Sequence, residues 1–330
     1  MKQSIFVTRR IPGDGIPMLE SKYELDIWDK RAPPNKDEIA RRAKHCSGLI
    51  SLLSDPIDDL LMDELSNLKI ISQYAVGYDN IDVEAATKRG IMVTNTPGVL
   101  TDTTADLAWA LIMATSRRLV EADSYVRDGK WAVAWGPSLL TGQDVHGKTL
   151  GIIGLGRIGS AVARRAKGFD MEILYHTRSR NQYTEEVDNE LGGTRVSIDV
   201  LLNKSDIVSI HVPLNEQTHG MIGRDELIAM KKTAVLVNTS RGAVVDEEAL
   251  VWALQSSEIW AAGLDVFEEE PTPKDNPLLS LSNVVVTPHI ASASIATRSE
   301  MGVICARNLI AGLKGDKPPN LVNREVIDDD

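Results

Sequence analysis

The chain has 330 residues, 43% of them hydrophobic and 25% charged, an ordinary globular composition at a length that points to two domains. With 24 glycines and 14 prolines it is neither collagen-like nor low in complexity, and two cysteines, Cys46 and Cys305, exclude a disulfide scaffold or a Cys-rich metal domain. The formal net charge of −11 repels phosphate backbones and argues against a nucleic-acid partner.

The first ten residues lack the apolar core of a signal peptide, and the most apolar helical stretch, 107–114, is too short to span a bilayer. The expectation is a cytoplasmic protein with no membrane partner. Up to the turn Asn95-Thr96-Pro97-Gly98, short apolar runs alternate with helical patterns. Residues 5–8, 49–53 and 70–74 read as buried strands, and 36–44 and 57–65 as helices. A long helix is expected from Thr101 or Asp102, with Leu107, Ala108, Leu111, Ile112 and Thr115 at helical spacing. Residues 131–144 show no period and contain Trp131 and Trp135. A second alternating series then begins: strands at 150–153, 172–176, 207–212, 234–238, 262–266 and 284–286, and a helix over 157–167. A last helix over 295–313 follows a second punctuation, Thr287-Pro288-His289. This alternation predicts an α/β fold of doubly wound parallel sheets.

Two glycine motifs compete for a phosphate. Residues Gly142 to Thr149 match the pattern of a nucleotide triphosphatase loop, but a strand follows where a helix should start, so the segment reads as a turn entering a strand. Gly154-Leu155-Gly156-Arg157-Ile158-Gly159 follows an apolar strand and opens a helix. There the first glycine permits the turn, the second admits a pyrophosphate, and the third lets helix and strand pack. The end of the next strand reads Tyr175-His176-Thr177-Arg178-Ser179-Arg180, with no acid to accept ribose hydroxyls, and Glu172 stands at the wrong end. Arg178 or Arg180, with Thr177 and Ser179, suits a 2′-phosphate, which predicts NADPH over NADH. Solvated surface arginines are the alternative.

Three later strand ends carry groups for carbonyl reduction: Ser240-Arg241-Gly242, the run Asp265-Val266-Phe267-Glu268-Glu269-Glu270-Pro271, and Thr287-Pro288-His289. Together with the glycine fingerprint, in this order and spacing, they resemble the D-isomer-specific 2-hydroxyacid dehydrogenases over nearly the whole chain. Within that family, the segments Ala75 to Asp82, Asn95 to Gly98 and Leu321 to Val326 look most like archaeal glyoxylate reductases. The resemblance implies that Arg241, Glu270 and His289 are catalytic. Arg241 would clamp the 2-oxo acid, His289 would give its proton to the carbonyl oxygen, and Glu270, directly before Pro271, would orient the imidazole. It implies cofactor contacts from Gly154 to Gly159, at Thr177, Arg178 and Ser179, at Val212 and Pro213, and at Thr239, Ser240, Arg241, Asp265, His289 and Ala291. It implies substrate contacts at Leu53, the amides of Val76 and Gly77, Arg241, His289 and Trp135.

The resemblance further implies a flavodoxin-like substrate domain, 1–99 plus 288–330, and a Rossmann cofactor domain, 100–287, with a cleft between them and hinges at the two punctuations. It implies a homodimer built on the long helix and the 131–144 region. The expected activity is NADPH-dependent reduction of glyoxylate to glycolate, and of hydroxypyruvate to D-glycerate. NADH is a possible second donor. Another D-2-hydroxyacid dehydrogenase, such as phosphoglycerate dehydrogenase, is the alternative enzyme, and a dinucleotide-sensing corepressor-like scaffold the alternative from another class. No metal is expected, because His45, His146, His176, His211 and His219 lack ligand-like spacing. The terminal Asp328-Asp329-Asp330 reads as a solvated end.

Overall fold

Every strand pair in the two sheets is parallel among the described residues, so each connection must cross over a sheet face, and helices fill those crossovers. A computed structural model describes residues 2–327; Met1 and the acidic end at 328–330 lie outside. The chain divides into two units, Met1–Leu100 with Ser292–Asp330, and Thr101–Ala291. The second division falls at 291/292 rather than at the expected 287/288, because residues 287–291 hydrogen-bond to Asp265.

The discontinuous unit holds β1 (Ser4–Val7), β2 (Glu24–Ile27), β3 (Gly48–Ser51), β4 (Ile70–Gln73) and β5 (Met92–Thr94). Their order, β2-β1-β3-β4-β5, is the flavodoxin-like arrangement. Here β3 and β4 are buried throughout, which explains their legibility as continuous apolar runs. The edge strand β2 is part-exposed and carries Glu24 and Asp26, so hydrophobicity gives it no sequence signal. The last helix, Ile295–Lys314, packs through missing side chains. A Cβ on Gly15 would lie 2.3 Å from the Gly302 carbonyl oxygen, and one on Gly312 would lie 2.6 Å from Ile70.

The continuous unit holds β6 (Thr149–Ile153), β7 (Glu172–His176), β8 (Thr194–Arg195), β9 (Ile207–Ile210), β10 (Val235–Asn238), β11 (Ala261–Leu264) and β12 (Val284–Val286). The order is β12-β11-β10-β9-β6-β7-β8. Counted from β6, this is the 3-2-1-4-5-6 order of a Rossmann sheet with a seventh strand added. The order reverses between β6 and β9, which pair directly. The expected long helix ends at Ser116, and a second, Leu119–Arg127, starts after Arg118 in a left-handed conformation at φ 52°. Gln143 donates its amide to the Ser116 carbonyl at 2.8 Å. The triphosphatase-like segment therefore closes a helix end and enters β6, with no helix starting at Lys148. No helix among the described residues is long and apolar enough to cross a membrane.

The glycine-to-glycine contact predicts a steep cost for a single methyl. Gly15→Ala forces the first short helix off Gly302 and should destabilise the protein by about 1–3 kcal/mol. A urea-unfolding midpoint equal to wild type would show that this close approach is not maintained in solution.

Candidate active site

The groups that the sequence singles out at three strand ends come from adjacent strands β10, β11 and β12, at their carboxyl edge, where open α/β sheets bind ligands. After β10, Asn238 makes a tight Asx turn. Its Oδ1 accepts from the Ser240 amide at 3.0 Å and the Ser240 hydroxyl at 2.9 Å, while its Nδ2 donates to the Arg241 carbonyl at 2.9 Å. Gly242 follows with no room for a side chain, since a Cβ would sit 1.8 Å from the Phe267 carbonyl carbon. The loop carrying Arg241 is thereby seated against the loop after β11. The sequence places Asn238 and Gly242 beside Arg241 but assigns neither a role, although an Asn before Ser-Arg-Gly is a turn signal.

In the loop after β11, Glu270 turns back to accept from the Phe267 amide at 3.0 Å through Oε1. Its other oxygen, Oε2, lies 2.7 Å from His289 Nδ1. Burial pushes the Glu270 carboxyl up. The hydrogen bond and charge of His289, the Phe267 amide and the charge of Arg241 together outweigh that push and hold it below its usual range. Glu268 and Glu269 are exposed, and the Glu268 amide donates to Glu247.

Asp265, one of the cofactor contacts that the resemblance implies, directly follows β11. Its side chain is completely buried and spent on the following loop, accepting from the Thr287 hydroxyl at 2.6 Å and from the Ile290 and Ala291 amides at 2.8 Å each. Burial outweighs these bonds and raises its carboxyl above the ordinary value. The Asp265 carbonyl also accepts from the His289 amide at 2.8 Å. His289 is held in the left-handed region, φ 53°, a conformation that costs energy in a residue with a Cβ and persists only where its surroundings impose it. Ala291 is buried with this loop, and Thr239 is buried with its hydroxyl unpartnered.

At the switch point, Gly154 has φ +96° and a Cβ there would meet His211 at 2.8 Å, while a Cβ on Gly159 would meet the Gly154 carbonyl oxygen at 2.2 Å. Gly156 faces open space. Leu155 is buried, Arg157 exposed, and Ile158 half-buried at the start of the helix Arg157–Ala166. This combination fits a dinucleotide: two glycines demanded by packing, one leaving room for a phosphate, and a helix N-terminus behind it. After β7, Arg178 and Ser179 are exposed and Thr177 half-buried, and Arg178 donates to Gln217 at 3.1 Å. Arg195 on β8, absent from the sequence reading, donates to the carbonyls of Thr177 at 2.8 Å and Arg178 at 3.0 Å. Arg180 instead pairs with Asp188 at 3.7 Å. Val212 is half-buried, and the exposed Pro213 accepts from the Thr218 hydroxyl at 2.6 Å.

Leu53 and the pair Val76 and Gly77 belong to the other unit, half-buried in the turns after β3 and β4. Asn80 ties these turns together, donating to the carbonyls of Leu52 at 3.0 Å and Asp55 at 2.7 Å. Trp135 is 76% exposed in a segment without regular structure. Among the described residues no group of three His, Cys, Asp or Glu side chains is placed to hold a metal ion.

This geometry has close relatives. Residues 109–291 match the family model described as D-isomer specific 2-hydroxyacid dehydrogenase, NAD binding domain, and the chain belongs to the D-isomer-specific 2-hydroxyacid dehydrogenase family. It is 59% identical to a glyoxylate reductase of Korarchaeum cryptofilum over 99% of this chain and 98% of that one. It is 52% identical to a glyoxylate reductase of Thermococcus litoralis over the same shares. Among solved structures, a Thermus thermophilus protein superposes with a TM-score of 0.91 at 46% identity, covering 97% of this chain and 100% of that one. An NADPH-dependent glyoxylate/hydroxypyruvate reductase of Sinorhizobium meliloti, in complex with NADP and malonate, superposes with a TM-score of 0.85 at 35% identity, covering 99% and 98%.

The lowered Glu270 carboxyl has a consequence for stability against pH. A folded value below the unfolded one of about 4.5 contributes stability fully present above that value and lost as pH falls through the folded one. Glu270→Gln should therefore melt below wild type at neutral pH, and the gap should close as the pH is lowered beneath about 4.5. A gap in Tm that stays constant over that range would mean that the carboxylate is not held by His289.

Proposed function

We propose that the protein is an NADPH-preferring glyoxylate reductase that converts glyoxylate to glycolate and hydroxypyruvate to D-glycerate. The observation that carries this reading is the His289–Glu270 pair, closed at 2.7 Å beside the seated Arg241 loop. It lies in a chain that matches glyoxylate reductases along 99% of its length. A bound NADPH supplies the hydride. Arg241 offers a forked donor to the carboxylate and carbonyl oxygens of the 2-oxo acid, drawing charge from the carbonyl carbon. With Nδ1 engaged by Glu270, His289 presents Nε2 and gives its proton to the carbonyl oxygen. In the oxidation of the hydroxy acid, the neutral ring takes that proton back. Asp265 acts through the loop, keeping His289 in its strained backbone conformation. The amides of Val76 and Gly77 receive the substrate carboxylate, and Leu53 and Trp135 border the substrate.

The residues that recognise NADPH would be Gly154 to Gly159 for the pyrophosphate, and Thr177, Arg178 and Ser179 for the 2′-phosphate. Arg195 supports that preference by fastening the loop through backbone carbonyls, which leaves the exposed Arg178 and Ser179 available. Val212, Pro213, Thr239, Ser240 and Ala291 complete the cofactor contacts in this reading. A homodimer is supported by Leu119, Val120, Val126, Trp131, Val133 and Trp135, each more than half exposed. Six exposed large apolar side chains within one stretch of the chain suit burial against a second copy. The compartment would be the cytoplasm.

NADPH oxidation followed by absorbance, with glyoxylate, hydroxypyruvate and pyruvate in parallel and NADH as control, tests the reading. Fast turnover of glyoxylate with NADPH is expected. Turnover of only another 2-oxo acid would reassign the substrate. His289→Gln should lower kcat by about 10²–10⁴-fold, and a variant as fast as wild type would move the proton donor elsewhere. Arg178→Ala should raise KM for NADPH about tenfold or more, the worth of a charge-assisted bond, while leaving KM for NADH in place. Equal effects on both cofactors would remove Arg178 from 2′-phosphate recognition.

A further inference from the structure

The turn after β4 carries two backbone amides read above as an anion site, and the hydrogen bonds around it show what aims them. The Ala75 carbonyl accepts from the Thr96 amide at 2.9 Å. The Val76 carbonyl accepts from Asn95 Nδ2 at 2.8 Å. In a trans peptide the C=O and the following N–H point in opposite directions. The first bond therefore sets the direction of the Val76 N–H, and the second sets that of the Gly77 N–H. Two successive carbonyls turn toward one neighbouring segment, 95–96, so the two N–H groups turn together toward the opposite side, as in a backbone anion nest. Neither amide donates to another described residue.

Of the two bonds that set this arrangement, one is backbone to backbone and the other is made by a side chain. We propose that Asn95 is a positioning residue for the substrate carboxylate, acting through the peptide between Val76 and Gly77. Asn95 is itself anchored from two directions. Its amide donates to the Asn320 carbonyl at 3.3 Å, and its carbonyl accepts from Asn308 Nδ2 at 3.1 Å. Asn308 is completely buried on the last helix, and its Oδ1 accepts from both the amide and the Nδ2 of Asn320 at 3.2 Å. A chain of three asparagines therefore runs from Asn320, beyond the last helix, to one peptide plane of the nest. The Gly77 carbonyl is held separately, by Gln73 Nε2 at 3.3 Å, and that bond governs the next peptide. The inference rests on the 2-oxo acid reading for the identity of the anion.

Asn95→Ala and the near-isosteric Asn95→Asp both remove the donor. Each is compared with wild type by steady-state kinetics and by calorimetric binding of oxalate, a non-reacting carboxylate, in the presence of NADP+. Oxalate Kd and KM for glyoxylate should both rise about tenfold, as when one good hydrogen bond to an anion is lost. The kcat should change little and KM for NADPH should stay put, because uniform binding is what is weakened. A packing role alone would lower Tm and kcat without singling out the carboxylate, and that pattern, or unchanged oxalate binding, overturns the proposal. If wild type binds oxalate yet does not reduce glyoxylate, the functional reading fails while the oxalate comparison still decides the role of Asn95. If wild type binds no oxalate, the nest itself is refuted.

Discussion

One buried carboxylate organises the end of the continuous unit. Asp265 has no exposed surface, and an ionised group in that position is tolerated only when its oxygens are well supplied with donors. The donors come from the segment that follows β12, the Thr287 hydroxyl and the Ile290 and Ala291 amides on either side of His289. Satisfying Asp265 therefore fixes the path of that segment. The path in turn holds His289 at a positive φ with its ring against Glu270. A parallel sheet makes this economical. Adjacent strands all end at the same edge, so residues far apart in sequence, Arg241, Glu270 and His289, issue from neighbouring strands.

Backbone contact replaces side-chain contact at the points where precision matters. Gly242 brings the Arg241 turn against Phe267, Gly159 brings the helix onto Gly154, and Gly15 brings a short helix onto Gly302. At each of these a methyl group would overlap a backbone atom. Backbone cannot repack as a side chain does, so a glycine there sets distances more rigidly than a filled core position. In the discontinuous unit the corresponding device is polar. Amide side chains, the buried Gln73 (Oε1 accepting from Ser51 at 2.7 Å) and Asn308 and the half-buried Asn80, engage the carbonyls of surface turns. These turns consequently inherit the rigidity of the sheet beneath them.

Strands β3, β4, β6, β9, β10 and β11 were legible because they are buried almost throughout and read as predominantly apolar runs, and β7 because its three central residues are. β2 and β8 were not, since part-exposed edge strands carry charged and polar residues such as Glu24, Asp26 and Arg195 and owe their conformation to a neighbour. The long helix expected from residue 101 is present and ends at Ser116, whereas the following helix, Leu119–Arg127, was not foreseen, and Arg118 between them adopts a left-handed conformation that no propensity signals. Among site residues, the glycine fingerprint and the Arg, Glu and His of the three strand ends stood out by type and position. Arg195 and Asn95 did not, because each works through a backbone carbonyl distant in sequence.

By itself the sequence determined the class of fold, the dinucleotide motif and the chemical groups available for carbonyl reduction. Periodicity, glycine spacing and residue type are local properties that need no partner to be read. The tertiary structure alone decided that Asp265 is spent inside the protein on the His289 loop, that Arg195 fastens the turn carrying Arg178, and that Asn95 aims a peptide plane. Each of those roles is a hydrogen bond between residues distant in sequence or on different elements. A hydrogen bond depends on distance and direction, which exist only once the sheets have brought the strand ends together.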